Sequence, residues 1–327
     1  MKIAYLGPAG TFTEEALWQL VAQSEAENFG GLITCSATDV EAVPMRNPGV
    51  AVAAVYTGEV DAACLAIENS VDGYVTPTYD ALAAYPHDDG VQIYDEFYLP
   101  IRFAIMARPG TTLERARTFA THPVAHQQVQ QWLAHNASHL EFQPASSNGA
   151  AAAAVASGDV DVAAAPKRAA ELYGLEILAD DIADFREART RFVLIGPKGK
   201  AHPPTGNDHT SVMFVVPDEP GSLASCLAEL SLRGVDMTRI ESRPATRIMQ
   251  DMPKSEDVSQ YGPYRFHIDL AGHIADDAVA GALQALYMRT RLLCFLGSWP
   301  ARKTTVSPQQ SSRVQEALDW VAHAQGK

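Results

Sequence analysis

The chain has 327 residues, 47% of them hydrophobic and 20% charged, and a formal net charge of -14 at pH 7. That length exceeds one ordinary core, so two or three globular domains are expected. The acidic excess excludes nucleic acid and anionic membrane surfaces as partners, and an anionic substrate must meet a local cluster of donors within a repelling field.

The apolar run Met1–Leu6 stops at Gly7-Pro8 and reads as neither signal peptide nor membrane span. Ile3-Ala4-Tyr5-Leu6 is a predicted strand, and Gly7 to Thr13 a tight loop in which Thr13 caps the helix opening at Glu14-Glu15. Such a loop, which includes Thr11, presents backbone N–H groups to an anion. Neither GxGxxG nor GxxxxGK[ST] is present, which argues against a nucleotide-dependent dehydrogenase. Cys35, Cys64, Cys226 and Cys294 form no CxxC pair, which fits reduced thiols in a cytoplasm.

A near-repeat follows. Small-residue helices over Val50–Val55 and Ala150–Ala156 end at Gly58-Glu59-Val60-Asp61-Ala62-Ala63 and Gly158-Asp159-Val160-Asp161-Val162-Ala163. Each Gly stops a helix and each Val-Asp leads into a strand. Phe119 to Pro123 resembles a second strand–loop, preceding a predicted helix over Val124–Leu133. This pattern implies two α/β lobes with a cleft beyond the carboxyl ends of their strands. Leu175 to Ile195 would return the chain to the first lobe, which places Thr190 near the hinge.

Polar residues interrupt the buried runs at informative places. Glu68, Asn69 and Ser70 follow the strand from Leu65, and Ser146-Ser147-Asn148 precede the second small-residue helix. Either set can line a cleft or merely cap a helix. In Arg189-Thr190-Arg191-Phe192, guanidinium forks flank one hydroxyl at the head of the apolar run Phe192–Ile195. An extended chain puts Arg189 and Arg191 on one face and Thr190 on the other. His122/His126 and His135/His139 have i,i+4 spacing but no Cys or Glu partner pattern, so they read as surface or packing histidines and no metal is expected.

Residues 198–208 form a Lys/Pro/Gly-rich linker. Beyond it the predicted order is strand Thr210–Val216, helix from Pro220-Gly221-Ser222-Leu223 to Leu232, strands Val235–Ser242 and Tyr264–Leu270, helix Asp276–Arg289 and strand Arg291–Leu296. That is the ferredoxin-like βαββαβ unit. Residues 301–327 form a tail with a short amphipathic helix around Val314–Val321.

These blocks together resemble prephenate dehydratase carrying a C-terminal ACT regulatory domain. The resemblance rests on Gly7-Pro8-Ala9-Gly10-Thr11-Phe12, Ile67-Glu68-Asn69-Ser70 with Asp72-Gly73, Ser147-Asn148, Thr190-Arg191-Phe192, Pro220-Gly221-Ser222-Leu223, Glu241-Ser242-Arg243-Pro244 and Leu296-Gly297-Ser298-Trp299-Pro300. It implies a two-lobed catalytic domain like a periplasmic binding protein over residues 1–197, divided as 1–97 plus 176–197 and 98–175, and an ACT domain over 209–300. It implies conversion of prephenate to phenylpyruvate, water and carbon dioxide without a cofactor, with phenylalanine as feedback inhibitor. The family's essential hydroxyl matches Thr190, its cleft asparagine Asn69, and its Ser-His-Pro…Gln block Thr121-His122-Pro123 and Gln128. Arg191 is expected to raise the acidity of Thr190, with Thr190 donating directly, through water or as a hydrogen bond alone. Ser70, Glu68, Thr11, Asn148 and Phe192 complete the expected substrate contacts. Gly221, Ser222, Leu223, Glu241, Ser242, Arg243 and Pro244 are the expected phenylalanine contacts, at an interface between paired ACT domains of a homodimer or larger assembly. Departures from the family pattern are Glu187, Ala66, Ser222 and the long loop over 246–260. The rival reading is a two-lobed sensor without turnover.

Overall fold

The computed structural model describes residues 1–27, 31–85, 90–245, 263–302 and 320. The loop over 246–260, the tail from 303 and the amphipathic segment around Val314–Val321 lie outside the described residues, Trp320 excepted. Among the described residues no helix is long and apolar enough to cross a membrane.

The first lobe is a sheet fed by a short strand-helix alternation. Strand β1 (Lys2–Leu6) leads into α1 (Phe12–Ala26), β2 (Glu41–Met45), α2 (Pro48–Tyr56) and β3 (Ala62–Asn69). β1 lies parallel between β2 and β3. The hairpin partner β4 (Gly73–Tyr74) and helix α3 (Thr76–Leu82) follow, and β5 (Val91–Pro100) forms the far edge. The second lobe repeats the plan. After β6 (Ala104–Ala107) come β7 (Thr118–Thr121), α4 (Pro123–Gln127), α5 (Gln130–Asn136), β8 (Glu141–Pro144), α6 (Asn148–Ser157) and β9 (Val162–Ala165). Here β7 lies parallel between β8 and β9, as β1 does in the first lobe. α7 (Lys167–Tyr173) and β10 (Glu176–Ala179) close it, and β11 (Arg189–Pro197) then inserts antiparallel between β3 and β5.

Both expected lobe boundaries move. β5 stays paired with β11 as far as Pro100, and β10 pairs with β6, so residues 176–179 belong to the second lobe. The chain crosses at 101–103 and returns at 180–188, and the crossings are bonded side by side: Ile101 N–H donates to Ala188 O (2.8 Å) and Ile182 N–H to Phe103 O (3.0 Å). The single helix expected over Val124–Leu133 is two helices. Long-range capping explains the break, because the Asp184 carboxylate accepts from the Gln131 and Trp132 N–H groups at the start of α5. The cap of α1 is Thr11, which accepts from Glu14 N–H, while Thr13 sits inside the helix.

The C-terminal unit runs β12 (Asp208–Val215), α8 (Ser222–Leu232), β13 (Met237–Pro244), β14 (Tyr264–Ala271), α9 (Asp277–Arg289) and β15 (Leu292–Pro300). Its antiparallel sheet has the order β13-β14-β12-β15, the ferredoxin-like arrangement. Alternation sets its two faces. Val212, Phe214, Ile268 and Leu270 pack under α8 and α9. Met213, Cys294, Leu296 and Trp299 join a core made with α2, α3 and the first-lobe strands. Gly297 shows why this contact is close: a Cβ there would lie 2.2 Å from Ile93 O on β5.

Candidate active site

Thr190 opens β11 in register with Asn69 at the end of β3. Its hydroxyl accepts a bond from Asn69 Nδ2 (3.0 Å), and Thr190 is only 6% exposed. The Asn69 amide is itself oriented, since its Oδ1 accepts from the N–H groups of Val71 (2.8 Å) and Asp72 (3.1 Å). A hydroxyl has one proton to give. Because Thr190 takes the Asn69 bond as acceptor, that proton is left for a ligand. Ser70 secures the strand: its Oγ accepts from Arg189 N–H (3.0 Å) and its N–H donates to Arg189 O (2.9 Å).

The second lobe supplies a matching set. Thr121, fully buried at the end of β7, donates to Ala164 O (2.8 Å) and lies 3.2 Å from Asn148 Oδ1. Asn148 Oδ1 also accepts from His122 N–H (3.2 Å). The proton of Thr121 is thus committed to its own lobe, and the pair is held by bonds within that lobe. Gln128 reaches across the lobes: its Nε2 donates to Asp72 Oδ2 (2.7 Å), while its Oε1 is buried without a protein partner. The break between α4 and α5 leaves Gln128 free for this reach. Asp72 ties the two sets together, bonded through its N–H to Asn69 and through its carboxylate to Gln128.

A second interlobe link joins Arg168 on α7 to Glu14 on α1 (3.0 Å), with the guanidinium over the Trp18 ring. Burial alone would raise the Glu14 carboxyl, but bonds from Arg168, Gly10 N–H and Trp18 outweigh it and hold it below the usual carboxylate range. The lobes also meet backbone to backbone, since a Cβ on Gly149 would lie 2.4 Å from Ala9 O.

Some expected contacts fall elsewhere. Phe192 is 1% exposed inside the core shared with Leu17, Phe103 and Leu194, so it packs the strand and does not face a ligand. Thr11 spends its hydroxyl on the helix cap and on Leu6 O (3.2 Å). Glu68 is a half-buried group 4.0 Å from Arg191. Arg191 is the main correction. Its guanidinium turns away from Thr190, to Glu96 on β5 (2.6 and 2.8 Å) and to Asp269 on β14 (2.5 Å). These carboxylates neutralise it, so it does not supply the acidity expected for Thr190. Sequence reasoning missed Glu96 and Asp269 because each lies in a run that reads as plain strand.

The expected effector stretch is divided between faces. Gly221, at φ 86°, starts α8 in a conformation suited to glycine, with open space around its Cβ position. Leu223 packs under the helices and Ser242 is exposed. Glu241 and Arg243 instead face the first lobe, near Arg239 (3.8 Å) and Asp80 (3.5 Å) respectively.

Residues 3–200 match the family described as prephenate dehydratase (PDT). The chain is 47% identical over 325 residues to prephenate dehydratase of Corynebacterium glutamicum, covering 98% of this chain and 96% of that one. Its structure resembles that of the prephenate dehydratase from Arthrobacter aurescens in complex with L-Phe (34% identity, TM-score 0.77, all of both chains). It also resembles GqqA, a novel type of quorum quenching acylase (28% identity, TM-score 0.75, 94% of this chain and 100% of that one). One architecture thus carries more than one chemistry, and sequence must decide between them. The family match over residues 3–200 and the identity over nearly the whole length do so: this chain belongs to the prephenate dehydratase family.

Proposed function

We propose that the dehydration of prephenate to phenylpyruvate, water and carbon dioxide runs on Thr190, in the cleft between the lobes. Prephenate carries a ring hydroxyl opposite a ring carboxylate. Loss of both makes the ring aromatic, so no electron sink is required. Thr190 donates its proton towards the departing hydroxyl. The C–O bond breaks with release of water, the ring carboxylate leaves as carbon dioxide with its bonding pair moving into the ring, and Thr190 regains its proton from solvent. Asn69 holds the Thr190 oxygen as acceptor, while Gln128 and the Thr121–Asn148 pair position the substrate. The observation that carries this reading is the Asn69-to-Thr190 bond, in which the hydroxyl is the acceptor and so keeps its proton to donate.

The test is kinetic. Thr190→Ala should lower kcat by about a hundred- to ten-thousand-fold with little change in KM, and Thr190→Ser should keep part of the rate. Full activity in the alanine variant would remove Thr190 from the chemistry.

The βαββαβ unit is, in this reading, an ACT domain that binds phenylalanine between two copies of the chain in a cytoplasmic homodimer. The L-Phe complex of the Arthrobacter aurescens protein supports it, as does the open space around Gly221 at the start of α8. Feedback requires phenylalanine to bind the less active arrangement more tightly. Calorimetry and rate measurements with added phenylalanine should show binding and inhibition together. Absence of binding would leave the unit a structural domain.

A further inference from the structure

Thr190 and Arg191 are neighbours on β11 and point to opposite faces of its sheet. The Thr190 side carries the bond from Asn69; the Arg191 side is covered by the C-terminal domain. Arg191 is 5% exposed, and its partners are drawn from separate parts of the fold: Glu96 from β5 and Asp269 from β14. Each partner is itself anchored. Glu96 also accepts from Arg302 N–H (3.2 Å) and is paired with His209 Nδ1 (3.0 Å), both from the C-terminal unit. Asp269 also grips Arg239 on β13 through both its oxygens (2.8 and 3.1 Å). Burial would raise both carboxyls, yet the guanidiniums outweigh it and hold both below their ordinary values. The pairing of β11 with β3 shifts register between Arg191 and Phe192, immediately beside this anchor.

We propose that Arg191 is a positioning residue: gripped by Glu96 and Asp269, it fixes the part of β11 that presents Thr190, so that the C-terminal domain completes the support of the catalytic cleft. A carbon skeleton at this bulged position could settle in more than one register or twist. A planar guanidinium held on two sides by fixed carboxylates selects one. The hydroxyl on the adjacent residue inherits that selection, and small misplacements of a reacting group are costly in rate. Another interdomain pair, the buried Arg265 with Asp80 on α3, joins the same domains without touching β11 and serves as a control.

The proposal rests on Thr190 acting as stated above, and a double-mutant cycle in the full-length protein separates the two readings. Asp269→Asn should lower kcat by roughly ten- to a hundred-fold with little change in KM. In a Thr190→Ala background the same substitution should change the residual rate by less than about two-fold, because it acts only through the missing hydroxyl. Arg265→Met should leave kcat near wild type. Undiminished kcat in Asp269→Asn, equal losses with and without the Thr190 hydroxyl, or an equal loss in Arg265→Met would each overturn the proposal. A fully active Thr190→Ala would identify the failure as that of the Thr190 reading and withdraw the positioning role with it. If Asp269→Asn does not fold, Glu96→Gln removes the other carboxylate, and the same cycle supports or overturns the positioning role by the same rate changes.

Discussion

The two lobes touch each other very differently from the way the first lobe touches the C-terminal domain. Between the lobes lie an apolar core that runs from Ile3 and Leu17 to Phe119 and Leu133, a close backbone approach at Gly149, and two polar links, Asp72 to Gln128 and Glu14 to Arg168, the latter on an arginine 36% exposed in its side chain. Between the domains lie an apolar half around Met213, Leu296 and Trp299 and a charged half in which Arg191, Arg239, Glu96 and Asp269 are almost wholly buried. The part-exposed polar links of the first kind can exchange their partners with water at little cost. The second carries the cost of desolvated charge and holds only while every partner stays in place.

The sharpest way to break this contrast is to cut the domain interface. Trp299→Ala removes a fully buried indole and should cost about 3–5 kcal/mol of stability, seen as a lower denaturation midpoint. A loss below about 1 kcal/mol would mean that the apolar half contributes little.

Acid sharpens the contrast next. His267 is fully buried on β14 with neither ring nitrogen bonded, edge-on to Tyr79, among Arg239, Arg243, Arg265 and Asp269. Burial, reinforced by Arg265 and Arg239, holds its pKa well below 6.5. The unfolded chain therefore binds a proton near pH 6.5 that the folded chain refuses, and stability falls as pH drops through that range. Between pH 7.5 and 5.5 this one group should lower stability by on the order of 1 kcal/mol. His267→Phe should flatten that part of a stability–pH curve, and an unchanged slope would show that other groups set it.

The lobe contacts should give the smallest stability effects and the more visible kinetic ones. Arg168→Met should cost less than about 1 kcal/mol, because the pair is part-exposed, while raising KM through a less favoured closed cleft. Thr11→Ala, which removes the α1 cap, should cost about 1 kcal/mol and leave kcat unchanged. A loss of kcat there would restore Thr11 to the substrate contacts.

Much of the fold was legible because burial alternates with the period of each element. The repeated Gly-x-Val-Asp blocks mark β3 and β9, and the six-element order of the C-terminal unit follows from periodicity and glycine stops. The Thr11–Glu14 spacing, a capping signature, was also visible, but Thr13 with its adjacent glutamates competed with it. What stayed hidden depends on distant partners. Asp184 splits the helix after Gln127 from more than fifty residues away, and no local pattern reveals that. The guanidinium of Arg191 looks like an anion clamp until Glu96 and Asp269, 95 and 78 residues distant in sequence, are found to occupy it. Phe192 belongs to a motif that resemblance ties to the cleft, yet strand alternation places it in the core below Thr190.

The paired crossings at 101–103 and 180–188 have a consequence for how the enzyme breathes. The second lobe leaves and rejoins the first through neighbouring extended segments that bond to one another, so it is topologically one long excursion from a single sheet. A swing of the second lobe about these two segments would keep the bonds between them, while sliding or twisting would tear them. The C-terminal domain is fastened to the first lobe, through Asp269, Gly297 and Arg302. Its influence on the second lobe has to travel through the first.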